Sequence, residues 1–93
     1  IMCVNDIGGH ICTLNKNGIQ SALMATTSYG GIIDTFNNNG DLTTLMGVTY
    51  EGGLLSIYNK DGYGIVDIAR TMEDGGGICF YDRHGEDPVS YGH

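Results

Sequence analysis

The chain repeats itself, and that periodicity constrains its fold more than any other feature. Gly8 to Gly18 reads GGHICTLNKNG, Gly30 to Gly40 reads GGIIDTFNNNG, Gly52 to Gly62 reads GGLLSIYNKDG and Gly75 to Gly85 reads GGGICFYDRHG, with starts 22, 22 and 23 residues apart. The shared pattern is Gly-Gly-x-apolar-x-x-bulky-Asx-x-Asx/His-Gly, without a gap in any copy. A period of this length marks a supersecondary unit that cannot bury its apolar face alone and relies on its neighbours to do so. The 93 residues divide into a half-repeat 1–7, repeats 8–29, 30–51 and 52–74, and an incomplete repeat 75–93.

Each unit reads as strand, turn, strand, corner. In the first strand Ile11, Ile33, Leu55 and Ile78 form one column and Thr13, Thr35, Ile57 and Phe80 the next position on the same face, while Cys12, Asp34, Ser56 and Cys79 point the other way. The turn segments end Asn15 to Gly18, Asn37 to Gly40, Asn59 to Gly62 and Asp82 to Gly85. Asn and Asp bond their own backbone, and the closing glycine accepts positive φ, which is the chemistry of a hairpin turn. The paired glycines at the start of each unit mark the return corner, where the chain bends or another backbone comes close. A small residue recurs in the second strand at Cys3, Ala25, Gly47, Ala69 and Gly92, so something packs tightly against that column.

These features predict an all-β fold, a repetitive β-solenoid or β-roll of strand-turn-strand repeats with about four units. Stacked rungs would place like residues in ladders about 4.8 Å apart. Asn15, Asn37, Asn59 and Asp82 would form an Asx ladder, and Leu14, Phe36, Tyr58 and Tyr81 an apolar one. Cys12 and Cys79 would then lie roughly 14 Å apart, beyond disulfide reach.

Eleven acidic against four basic residues give a net charge of -7, which disfavours nucleic acid and anionic lipid as partners. No apolar run is long enough to span a bilayer, so no membrane insertion is expected. The three cysteines lack CxxC spacing, which leaves zinc and haem without a motif. Asn-x-Asp-Gly and Asp-x-His-Gly turns resemble fragments of calcium loops, but Asn15, Asn17, Asn37 and Asn39 bring no carboxylate, so turn chemistry is the reading and calcium its only cofactor alternative. His10, His84 and His93 have no ligand spacing, and His10 two residues from Cys12 on one strand face is a generic proximity rather than a nucleophilic triad. Glu73-Asp74 and Glu86-Asp87 fall at corners, where solvation explains them. No enzyme is expected.

The unit from Gly52 to Asp74, with Tyr58-Asn59-Lys60-Asp61-Gly62 at its centre, resembles the tandem repeats of uncharacterised bacterial surface or secreted proteins with GGxVxVYNKDG-type units. That resemblance spans essentially the whole chain. It implies a repetitive β architecture displayed outside the cell or on its surface, and no catalytic residues. Asn39 and His84 depart from the usual Asp of the turn. In style the units are also similar to curli-type strand-loop-strand rungs and to the trimeric β-helices of phage fibres.

Both ends look like cuts through a longer array or like ends completed by another chain, since the chain starts and stops within a repeat. Ile1, Met2, Cys3 and Val4 at one end and Pro88, Val89 and Tyr91 at the other are therefore the candidate assembly residues, because an uncapped sheet edge is a template for pairing. The expected function is a structural subunit of an extracellular filament or fibre that self-associates through β-strand stacking. The alternative is a trimeric β-helix or prism module of a phage or cell-surface fibre that binds a receptor or glycan.

Overall fold

The computed structural model describes residues 2–4, 8–70 and 75–92, and the side chains of Met2 and Cys3 fall outside that description. The described residues form nine strands: β1 (Met2–Val4), β2 (Gly9–Leu14), β3 (Gln20–Thr27), β4 (Gly30–Phe36), β5 (Leu42–Thr49), β6 (Gly52–Tyr58), β7 (Gly64–Arg70), β8 (Gly76–Phe80) and β9 (Val89–Gly92). They lie in one sheet in sequence order, each antiparallel to the next. Each 22-residue repeat is thus a hairpin, and its second strand pairs with the first strand of the following repeat.

The expected solenoid or roll winding is not formed within the chain, which is an open meander. The turns explain why. At one edge of the sheet, Gly18 N donates to Asn15 O and Asn15 N to Ile19 O, and the same pair of bonds recurs at Asn37 to Asp41, Asn59 to Tyr63 and Asp82 to Glu86. This is a three-residue hairpin loop whose last residue is left-handed, with φ of 82°, 88°, 88° and 74° at Gly18, Gly40, Gly62 and Gly85. Such a loop returns the chain antiparallel within its own sheet and cannot carry it into a new rung.

The opposite edge corrects the sequence reading in one detail. The bends there are Ser28-Tyr29 and Tyr50-Glu51, and Gly30 and Gly52 are the first residues of the strands that follow, paired with Thr27 and Thr49. None of the four bend residues has positive φ, a geometry that splays the strands of a two-residue hairpin. Gly30 and Gly52 take φ of 142° and 136°, which only glycine adopts easily, and so bring the strands back into register.

Among the described residues, strand contacts run only between sequence neighbours, so there is no second layer. The radius of gyration of 14.8 Å exceeds the roughly 12 Å of a compact domain of this length. Among the described residues only Cys12, Asp34 and Ser56 are buried, and none of their side chains is wholly so. All three project from one face of the sheet.

Candidate functional site: an apolar sheet face and two open edges

Strand register fixes what each face carries. On the side opposite Cys12, the pairings Ile11↔Met24, Met24↔Ile33, Ile33↔Met46, Met46↔Leu55, Leu55↔Ile68, Ile68↔Ile78 and Ile78↔Tyr91 make one unbroken apolar row across β2 to β9. Seven strand spacings of about 4.8 Å give that row a length of about 34 Å. A parallel row runs through Thr13, Ala22, Thr35, Thr44, Ile57, Val66, Phe80 and Val89. Hydroxyls on and beside it satisfy one another: Thr13 Oγ1 lies 2.6 Å from Ser21 Oγ, and Thr35 Oγ1 lies 2.6 and 2.7 Å from the hydroxyls of Thr43 and Thr44.

This face is open. Met24 is 53% exposed, Met46 51% and Ile11 45%. No carboxylate stands in either row. Arg70, toward the corner rim, is paired with Glu51 of the β5–β6 bend at 3.2 Å.

The Cys12 face has a different character. Its central row, Cys12, Leu23, Asp34, Leu45, Ser56, Asp67, Cys79 and Ser90, alternates polar and apolar residues toward β6 and turns wholly polar beyond it. Ser56 Oγ donates to Asp67 Oδ1 at 2.7 Å, and Ser90 Oγ to Cys79 Sγ at 3.3 Å. Asp34 Oδ1 is buried between leucines without a hydrogen-bond partner, and burial raises its carboxyl above the ordinary value of 3.8. Tyr81 is pushed up to about 12, first by its hydrogen bond with Cys79, then by desolvation and by the nearby Cys79 and Asp67 charges.

Asp67, Cys79, Tyr81, Ser90 and their neighbours line an open concavity of about 330 Å³ at the β7–β9 end. His10 lies far off on β2, half-buried on the same face as Cys12.

The residues singled out from sequence fall into two groups. Asn15, Asn37, Asn59 and Asp82 are the hubs of the four three-residue loops, each side chain accepting two backbone N–H bonds, from Asn17 and Ile19, Asn39 and Asp41, Asp61 and Tyr63, and His84 and Glu86. They share one edge of the sheet, but an intervening strand separates successive hubs by about 9.6 Å, so the expected 4.8 Å ladder is not formed. Successive loops still touch, since Asn59 Nδ2 donates to Arg83 O at 2.7 Å and Tyr63 meets the His84 ring edge-on at 5.8 Å. Likewise Cys12 and Cys79 are six strands apart, roughly 29 Å rather than 14 Å, and so beyond disulfide reach of each other.

The second group marks the ends. Met2, Cys3 and Val4 form β1, one open edge, where Val4 is 83% exposed. Val89 and Tyr91 belong to β9, the other open edge, and Pro88 immediately precedes it. Ile1, Glu73, Asp74 and His93 lie outside the described residues. Among the described residues, no group of three or more His, Cys, Asp or Glu side chains gathers in a way that could hold a metal ion. No helix among them is long and apolar enough to cross a membrane.

Neither a protein-family model nor a curated protein matches the chain.

Proposed function

We propose that the chain is a structural subunit, displayed outside the cell, whose sheet is continued by other copies of itself into a filament or fibre. The observation that carries this reading is the open meander, whose outermost strands, β1 and β9, each pair with one neighbour among the described residues. Natural sheets blunt such edges with charge, bulges or a covering element. Neither Met2–Val4 nor Val89–Gly92 carries a charged residue, and nothing among the described residues covers either strand. Because nine alternating strands leave β1 and β9 running in the same direction, β9 of one copy would join β1 of the next through a parallel pair when the two apolar faces stay on one side. Strand twist accumulated over many copies would then supply, between chains, the solenoid-like coiling expected from the periodicity.

No catalytic step is part of this reading. Among the described residues the concavity at Cys79 offers a thiol, hydroxyls and one carboxylate, and the turn hubs spend their side-chain oxygens on their own backbone.

Light scattering with negative-stain electron microscopy tests it. Long uniform filaments are expected, growing with concentration. A stable monomer across the whole accessible concentration range would overturn it. The alternative of a trimeric prism module with a receptor or glycan ligand gains support from the apolar face, which three sheets could turn inward, and a discrete trimer would favour it.

A further inference from the structure

We infer that the Ile11 face is a homotypic interface, covered by the same face of another copy of this chain in a layer-on-layer contact distinct from edge-to-edge growth. It supplies the second layer that the single chain lacks. A sheet with an apolar side is stable in water when that side packs against another layer, and two such layers settle about 10 Å apart with their side chains interdigitated.

Three observations point to a second copy as the occupant. The first is area. The sheet measures 40 by 28 Å in its long dimensions, a footprint of about 1,100 Å². If only half of it were covered on each partner, about 1,100 Å² would be buried in total, above the roughly 1,000 Å² that a specific interface requires, and fuller coverage reaches the range of obligate homodimers. The molecule presents 6493 Å² to solvent, against about 5,200 Å² for a compact monomer of its mass, and full coverage of the face would remove most of that excess from each molecule.

The second is charge. Two copies carrying -7 each repel unless their acids stay apart. The described carboxylates stand in the loops and bends (Asp41, Glu51, Asp61, Asp82, Glu86, Asp87) or on the opposite face (Asp34, Asp67), and none is in the Ile11 or Thr13 rows. A like-charged copy can approach this face without bringing any of the described carboxylates together.

The third is pitch. The apolar row is set by strand spacing, so only another sheet offers ridges with the same repeat of about 4.8 Å. β-Branched Ile11, Ile33 and Ile78 give fixed ridges, while Met24 and Met46 are unbranched and adaptable enough to fill the gaps of a partner.

The test is the double variant M24K/M46K, whose lysines fall mid-row, compared with the wild type by light scattering across a concentration series. The wild type should be at least dimeric. The variant should dissociate at concentrations about 100-fold higher or more, with its β circular dichroism retained. As a check independent of any variant, the peroxide oxidation rates of Met24 and Met46 in the wild type should fall several-fold on passing from dilute to associated protein.

The outcomes separate this inference from the filament reading. Wild-type filaments that persist in M24K/M46K, with Met24 and Met46 equally oxidised at all concentrations, would overturn the face contact and leave edge growth standing. A discrete oligomer lost in the variant would support the face and count against filaments. A wild-type monomer that instead partitions into phosphatidylcholine vesicles would overturn the face contact in favour of a lipid occupant.

Discussion

Ser56 and Asp67 face each other across β6 and β7, joined by a 2.7 Å hydrogen bond, while Asp34, on the same row two strands before Ser56, has a leucine on either side and a buried oxygen with no partner. The repeat therefore places an acid at two positions of one row and satisfies them unequally. A buried polar group without a partner bears its full desolvation penalty.

That asymmetry predicts a stabilising substitution. Asp34→Asn should raise stability at neutral pH by about 1 kcal/mol, because the amide carries no charge into the leucine surroundings. The native carboxyl binds its proton more tightly than the unfolded one, so wild-type stability falls as pH rises from the ordinary value of 3.8 through the raised native value. The advantage of Asp34→Asn should accordingly shrink on acidification. Urea titrations at several pH values check this, and an Asp34→Asn chain less stable than wild type at neutral pH would refute it.

The turn hubs predict an opposite pH dependence confined to the last loop. The backbone N–H groups of Glu86 and His84 hold the Asp82 carboxylate below its ordinary value, whereas the other three hubs are neutral asparagines with the same geometry. The contribution of Asp82 is fully present above the unfolded value of 3.8 and is lost as pH falls through the lowered native one. Asp82→Asn should leave neutral-pH stability nearly unchanged and remove part of the acid sensitivity. Asn37→Ala, which strips two acceptor bonds, should instead cost about 1 kcal/mol at every pH. Denaturation midpoints near neutrality and at about pH 3 distinguish the two.

How legible was this fold? The alternation of Ile11, Cys12 and Thr13 announced two faces, and Asn15-Lys16-Asn17-Gly18 announced its loop, because both are local properties of a short segment. The solenoid expectation failed at a step that is not local. Loops of three residues and bends of two turn the chain back within its own sheet, so Asn15 and Asn37 have a strand between them. The apolar row was half visible: Ile11, Ile33, Leu55 and Ile78 stood out as a column. Met24, Met46 and Ile68 joined it only once register was known, and a slip of one residue would have turned them to the Cys12 face.

Tyr81 should titrate late. Its hydroxyl is pushed up to about 12, the hydrogen bond with Cys79 being the largest cause, from an ordinary value of 10.0. An ultraviolet titration should show one tyrosine ionising well after the rest, and Cys79→Ala should bring it back toward the others. Because the native phenol keeps its proton longer, the stability tied to it is complete below the ordinary value and is lost as pH rises toward about 12. If the late phase survives in Cys79→Ala, the thiol is not its main cause.

The small-residue column has a physical reason that one pair of residues makes testable. Gly47 pairs with Ile32 and Leu54, and a Cβ on Gly47 would stand 2.9 Å from Ile32 Cγ2. The two neighbouring strands contribute large side chains, and the strand between them makes room. Ala25 and Ala69, the equivalent residues of adjacent repeats, show that one methyl can be tolerated on such a strand. Gly47→Ala should therefore be close to neutral, the gain from a stiffer unfolded chain offsetting a small shift of the isoleucine. Gly47→Val adds branches that the isoleucine cannot avoid and should cost about 1–3 kcal/mol. Trimming the neighbour restores the space, so the double variant I32A/G47V should lose less stability than its two single variants together, by about 1 kcal/mol. Thermal or urea unfolding of the four proteins closes the cycle. Strict additivity would mean that the column is small for a reason other than Ile32.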